Sequence, residues 1–290
     1  ACTGIGLHSG RAVRLRLLPA PAEHGIRFAR TDVGVEIPAT LAHIGSQDHA
    51  TTLTRDGVSI GTVEHLLATL AGLGVDDVRV EVDGPEVPVL DGSAAPFVIL
   101  LPEAGLRPLA VPRLHLRVIE PVEVVHGAKR ARLVPCDHFE VAYSIGFDHP
   151  LLRHQAFALR VTPRSFTETI APARTFGFLR EVEMLRKSGL ALGGSLENAV
   201  VIGETGVLNN KLRFEDEFVR HKMLDAVGDL ALLGHPLAGR LEATKAGHAL
   251  HAAVARKLLA TPGAWELVPA GTPSLEGAGT PSASPVLRPA

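Results

Sequence analysis

Leu212-Arg213-Phe214-Glu215-Asp216-Glu217-Phe218-Val219-Arg220-His221-Lys222-Met223-Leu224-Asp225-Ala226-Val227-Gly228-Asp229 is the most informative stretch of this chain. It lies in the clearest helix of the second half, which runs from about Glu215 to Leu233 and stops at Gly234. Glu217, His221, Asp225 and Asp229 follow one another at intervals of four. At 3.6 residues per turn they form one slowly drifting stripe. Acids stacked at i,i+4 repel by roughly 0.2–0.5 kcal/mol, and a cation beside the stripe reverses that sign. His and Asp at this spacing can point at one metal ion, as in zinc helices with one histidine exchanged for a carboxylate. A His-xxx-Asp pair alone is more often a solvated face. Here Phe214, Phe218, Leu224, Val227 and Leu230 crowd the stripe, and buried acids need a partner.

Two further segments carry groups of the same chemistry. Glu64-His65 opens an otherwise apolar helix read over Thr62 to Leu73, with Thr62 as its N-cap and Gly72 and Gly74 near its end. A glutamate in a first turn suits the helix dipole, and a histidine before two leucines can be a satisfied core residue. Adjacent helical residues also lie about 100° apart, so one can hold a metal while the other faces a water. His248 precedes an apolar helix read over about 248 to 260. A helix N-terminus lowers a histidine pKa and a carboxylate raises it, so the two can balance near neutrality, where acid catalysis works best. His65 and Gly72 share their seven-residue spacing with His221 and Gly228; chance accounts for this echo as well as a repeat does.

Composition narrows the function classes. The 290 residues suffice for one large domain or two ordinary ones. With 29 basic and 31 acidic residues, one Trp and one Tyr, no basic surface or stacking platform for nucleic acid is implied. Cys2 and Cys136 form no framework and read as free thiols of a reducing, cytoplasmic setting. The longest apolar runs, such as Phe97 to Leu101, fall far below the ~18 residues of a membrane span. The chain opens on Ala1 without Met or a signal-like segment, so some residues are expected upstream.

Strands are expected at 11–18, 78–82, 114–125, 130–134, 139–147 and 237–244, and a further helix from Ala95. Gly105 to Pro112 reads as a boundary, giving domains over 1–110 and 113–267. A Pro/Gly/Ser-rich tail over 268–290 is expected to be disordered.

Several segments together resemble the UDP-3-O-acyl-N-acetylglucosamine deacetylase family. They are Thr3 to Gly10 (TGIGLHSG), Thr62 to Leu66 (TVEHL), Pro88 to Phe97 (PVLDGSAAPF), Ala173 to Phe178 (ARTFGF), Leu192 to Ser195 (LGGS), Leu212 to Asp229 and Gly247 to Leu250 (GHAL). The resemblance runs to about Trp265.

It implies an α+β fold of two domains, each a β-sheet layered against helices, with the active site between them. It implies a zinc-dependent deacetylase that forms UDP-3-O-acyl-glucosamine and acetate at the committed step of lipid A biosynthesis in a Gram-negative-type bacterium. The implied ligands of one zinc, with Fe²⁺ compatible with the same donors, are His65, His221 and Asp225. Glu64 is the implied general base, and Thr175 an oxyanion donor. His248, held by Asp229, is the implied acid. Lys222 would lie near the sugar, Lys245 near the diphosphate, Phe147 against the nucleobase, and Phe176 and His8 beside the pocket. The insert over about 176–202 would form an acyl passage lined by Leu179, Met184, Leu185, Leu190 and Leu192, residues that core packing would explain equally well. Relatives carry Asp where Glu181 stands and Cys where Ala191 stands, which bears on passage shape and not on chemistry. The expected protein is a monomer whose partner is a small-molecule UDP-sugar lipid. The competing readings are a zinc amidohydrolase for another sugar-nucleotide amide, and a non-catalytic binding protein on the same fold.

Overall fold

The computed structural model describes residues 1–208 and 211–272. The fold is α+β. The first half supplies β1 (Cys2–Ile5), β2 (Ala12–Pro19), β3 (Ile26–Arg30), β4 (Val35–Pro38), a small hairpin of β5 (Leu53–Arg55) and β6 (Val58–Ile60), then α1 (Glu64–Leu73), β7 (Val78–Val82) and α2 (Ala95–Ala104). Its sheet has the order β1-β2-β7-β3-β4, antiparallel except where β3 meets β7. In β2 the buried Val13 and Leu15 alternate with exposed arginines, and in β7 the buried Val78, Val80 and Val82 turn inward together. Both follow from the two-residue period of a strand.

The second half supplies β8 (Leu114–Val118), β9 (Val122–His126), β10 (Lys129–Val134), β11 (Phe139–Ile145) and β12 (Gln155–Arg160). A single turn, α3 (Pro163–Ser165), follows, then β13 (Phe176–Phe178), α4 (Leu179–Lys187) and β14 (Val200–Ile202). The chain continues with α5 (Glu217–Ala231), β15 (Leu237–Thr244), α6 (His248–Ala260) and β16 (Trp265–Pro269). Its sheet runs β9-β10-β15-β11-β12, with β8 added to β15 and β16 to β8. Here β15 runs parallel to β11 and to β8.

The two halves therefore repeat one topology. Each has two antiparallel strands, then two more, then a helix, a central strand parallel to the third, and a final helix. The His–Gly spacing shared by 65/72 and 221/228 falls on equivalent helices, α1 and α5, so the echo in the sequence marks a structural repeat. These two helices form the main contact between the halves, and the buried apolar residues of both join in one cluster.

Four details differ from the sequence expectations. Thr62 does not cap α1. The helix starts at Glu64 after Val63 in helical conformation, while Thr62 takes φ 56° and donates its hydroxyl to Glu86 Oε1 at 2.7 Å. The stretch 114–125 is two strands broken at 119–121. The long helix is shorter by two residues at each end than Glu215 to Leu233. The tail does not begin at 268, because Val268 and Pro269 belong to β16 and pair with His115 and Leu114 of β8; residues 273–290 lie outside the described residues.

Candidate active site

The stripe on α5 is buried, not solvated: Glu217, His221, Asp225 and Asp229 are each at most 2% exposed. Its first member is turned to structure. Glu217 accepts Arg174 Nε at 2.8 Å, Arg174 N at 3.0 Å and Arg213 N at 2.7 Å. Burial opposes its charge, but these donors outweigh it and hold the carboxyl below its ordinary range. The pair ties the Ala173-Arg174-Thr175 segment to the start of α5.

The next two members meet His65 from α1. Asp225 Oδ1 lies 3.3 Å from His221 Nε2 and 3.6 Å from His65 Nε2, and the two rings stand edge to face at 5.0 Å. Burial pushes the His221 pKa down to about 4, so the ring is neutral. Its Nδ1 lies 3.1 Å from the Ala173 carbonyl, which can only accept. The proton is therefore on Nδ1, and the Nε2 lone pair faces a carboxylate oxygen. Two acceptors at that distance call for a cation between them. A tetrahedral zinc with nitrogen and oxygen at ~2.0–2.1 Å holds such donors about 3.4 Å apart, so the donor set fits the ion. Lys222 Nζ donates to the other oxygen, Asp225 Oδ2, at 2.7 Å. Burial works against both charges, yet their contact and His221 leave the carboxyl well below its ordinary range and the ammonium above its own.

Beside this triad stand two more buried titratable groups, Glu64 and His248. Glu64, Asp225 and His248 each offer an atom within 4.8 Å of the others. Burial raises the Glu64 pKa, and its Oε2 accepts Thr51 N at 3.1 Å. His248 Nδ1 lies 2.8 Å from Asp229 Oδ2. Burial disfavours the imidazolium, but Asp229 more than compensates and lifts its pKa to about 9. The near-neutral balance expected between a helix N-terminus and a carboxylate is not struck, because the carboxylate prevails.

Sequence reasoning missed three members of this network. Thr51 donates its hydroxyl to Asp229 Oδ1 at 2.5 Å. His251 Nδ1 lies 2.8 Å from Asp229 Oδ2, and its Nε2 lies 3.0 Å from the Tyr143 hydroxyl. His251 stands three residues after His248, a helical spacing that shares a face and was there to be read.

The remaining segments act as supports. Glu86, 4% exposed, accepts His8 N at 2.9 Å and Ser9 N at 2.8 Å, which fixes the turn that follows β1. Neither ring nitrogen of His8 has a partner among the described residues, and burial lowers its pKa. Gly92, at φ 83°, accepts Thr175 N at 2.7 Å, so the 88–97 segment locks the Thr175 backbone. Phe176 stands 6.2 Å from the His221 ring and 6.1 Å from Phe147, linking the cluster to that more exposed ring. Lys245 is exposed, outside the cluster, with its side chain passing over Gly146 beside Phe147.

Two histidines and a carboxylate flanked by a buried glutamate and a histidine–aspartate pair have the make-up of a mononuclear metallohydrolase. The family model described as LpxC: UDP-3-O-acyl N-acetylglycosamine deacetylase matches residues 1–260, and the chain belongs to that family. It is 52% identical over 279 residues to the UDP-3-O-acyl-N-acetylglucosamine deacetylase of Myxococcus xanthus (strain DK1622), covering 95% of this chain and 89% of the relative. To the protein of the same name from Pseudomonas entomophila (strain L48) it is 51% identical over 271 residues, covering 92% and 89%. No helix among the described residues is long and apolar enough to cross a membrane.

Proposed function

We propose that this chain hydrolyses the acetamide of UDP-3-O-acyl-N-acetylglucosamine, adding water across the C–N bond to release acetate and the free amine in lipid A biosynthesis. The single observation that carries the chemistry is the lone pair of His221 Nε2 facing Asp225 Oδ1 at 3.3 Å, with His65 alongside. These three residues would hold one zinc, or Fe²⁺ with the same donors. When bound, the ion supplies Lewis acidity that activates water and polarises a carbonyl.

The chain's own residues do the rest. Glu64 takes a proton from the attacking water, its raised pKa suiting a base that must later release it. His248 is protonated at neutral pH. With Nδ1–H committed to Asp229, it presents Nε2–H to the leaving nitrogen. Thr175 supplies a hydroxyl to the developing oxyanion, and Lys222, fixed on Asp225, places a positive charge at the sugar. Lys245 and Phe147, neighbours across Gly146, suit a diphosphate and its nucleobase. Phe176 and His8 line the pocket, His8 with two unpartnered ring nitrogens.

The 176–202 insert reads as the acyl passage. No residue of α4 is buried, and Leu179, Met184 and Leu192 are 42%, 67% and 54% exposed, so core packing does not explain these three. We read the two sheet-bearing halves as domains, 1–110 and 113–267, with the site where α1 meets α5. We read the protein as a monomer. Both cysteines are free, in keeping with a cytoplasmic setting.

The reading is tested by comparing amine release from UDP-3-O-acyl-N-acetylglucosamine and from UDP-N-acetylglucosamine. A kcat/KM at least ~100-fold higher for the acylated substrate, equivalent to about 2.7 kcal/mol, is expected. Equal rates would mean a different amide substrate, and no turnover of either would favour a binding protein.

A further inference from the structure

Two histidines share one carboxylate oxygen, and only one of them has a part in the proposed reaction. His248 Nδ1 and His251 Nδ1 each lie 2.8 Å from Asp229 Oδ2, while Thr51 donates its hydroxyl to Oδ1. All four residues are buried. Separations of 2.8 Å are hydrogen bonds, whereas donors sharing one zinc stand about 3.4 Å apart, so this cluster is a proton network and not a metal site.

The hydrogens of the network follow from counting donors and acceptors. Burial opposes the charge of Asp229, but His248 and His251 outweigh it and keep the group ionised. A carboxylate only accepts, so both Nδ1 atoms carry hydrogen. His251 Nε2 faces the Tyr143 hydroxyl at 3.0 Å. Tyr143 is buried too, and burial holds its phenol protonated. Among the described residues, that ring nitrogen is the hydroxyl's one hydrogen-bond partner. A buried hydroxyl hydrogen without an acceptor is costly, so Tyr143 donates and Nε2 receives. His251 is therefore a neutral ring with its hydrogen on Nδ1.

We propose that His251 and Tyr143 are positioning residues for the deacetylation, fixing the Asp229 carboxylate against His248, a role that rests on the reading of His248 as the acid. Tyr143 belongs to β11, an interior strand of the second sheet, and Thr51 to the first half of the chain. Asp229 Oδ2 is thus anchored from the sheet and Oδ1 from the other half, and the carboxylate cannot turn without breaking a buried hydrogen bond. His248 Nδ1–H then has a single direction, which holds Nε2–H toward the leaving nitrogen. Because His251 is neutral, the imidazolium of His248 does not share the charge of Asp229 with a second cation.

Two measurements test this. Imidazole nitrogen chemical shifts in isotope-labelled protein, with His251→Leu to assign the signal, report the tautomer without any reaction. Hydrogen on Nδ1 alone is expected, and hydrogen on Nε2 overturns the proposal. Steady-state kinetics test the role. Tyr143→Phe should lower kcat about 2–10-fold, the factor one hydrogen bond is worth, and His251→Leu about 10–100-fold, as for a hydrogen bond to a charged group. KM and bound zinc should stay unchanged in both. His251→Asn sets an N–H where Nδ1–H stood, since both nitrogens lie two bonds beyond Cβ, and should recover most of the loss. Tyr143→Phe should add nothing to His251→Leu, because it acts through that ring. An unchanged kcat in Tyr143→Phe, a loss confined to KM or zinc, His251→Asn no better than His251→Leu, or losses that multiply in the double variant would each overturn the proposal. Tyr143→Phe removes one oxygen and leaves the ring packed, so it is decisive even where His251→Leu does not fold. Wild-type turnover matched by Tyr143→Phe removes the positioning role alone; a wild type that turns nothing over removes the deacetylase reading and this role with it.

Discussion

Gly228 of α5 and the backbone of Glu64 in α1 are in direct contact: a methyl group on Gly228 would stand 2.8 Å from the Glu64 carbonyl carbon and 3.0 Å from its Cα. The close approach of the two helices, and with it the meeting of His65, His221 and Asp225, depends on a residue without a side chain. Gly228→Ala must push α1 away, because the clash is with backbone and no rotamer relieves it. A loss of about 2 kcal/mol or more is expected from overpacking of this kind, lowering Tm by roughly 4 °C or more in a chain of this size. Zinc affinity should fall with it. A thermal melt and a zinc titration check both, and an unchanged Tm would contradict the packing account.

Glu64→Gln keeps size and hydrogen-bonding reach but cannot take a proton. Metal content should stay at the wild-type level while kcat falls about 10²–10⁴-fold, the usual contribution of a positioned base. Near-wild-type turnover would remove Glu64 from its role.

The Asp229–His248 pair makes a prediction about pH. In the proposed reaction His248 acts protonated, and its pKa stands at about 9 because Asp229 outweighs burial. Activity should hold through neutrality and fall as pH rises through about 9. Asp229→Asn removes the anion that favours the imidazolium, so the pKa drops and the basic limb moves to lower pH. Profiles of kcat/KM for the two proteins measure the displacement; identical basic limbs would show that another group sets it.

The helices of the site were legible in the sequence because each carries its own periodicity, and α1 and α5 also a glycine stop at Gly74 and Gly234. α6 starts and ends where the pattern placed it, and α5 differs only at its fraying ends. Thr62 was misread as a cap for a statistical reason. A β-branched residue at positive φ is rare, and here the buried Glu86 takes the Thr62 hydroxyl that would have capped the helix. Thr51 gave no signal: it lies on a connection between strands and acts on Asp229 across 178 positions of sequence. The repeated topology left almost no trace, since a sheet needs apolar alternation and not particular residues. The His–Gly spacing recurs where His65 and His221 meet and where Gly72 and Gly228 each leave room for a close neighbour, the Phe166 ring and the Glu64 backbone.

The most direct test of the central claim is deacetylation measured on one preparation as purified, after exhaustive chelation, and after zinc is returned, in parallel with Asp225→Ala. The account predicts that turnover disappears with the metal and returns with zinc in the wild type, and that zinc restores nothing in Asp225→Ala. Turnover that persists in metal-free protein, or full recovery in Asp225→Ala, would contradict a metal held by His65, His221 and Asp225.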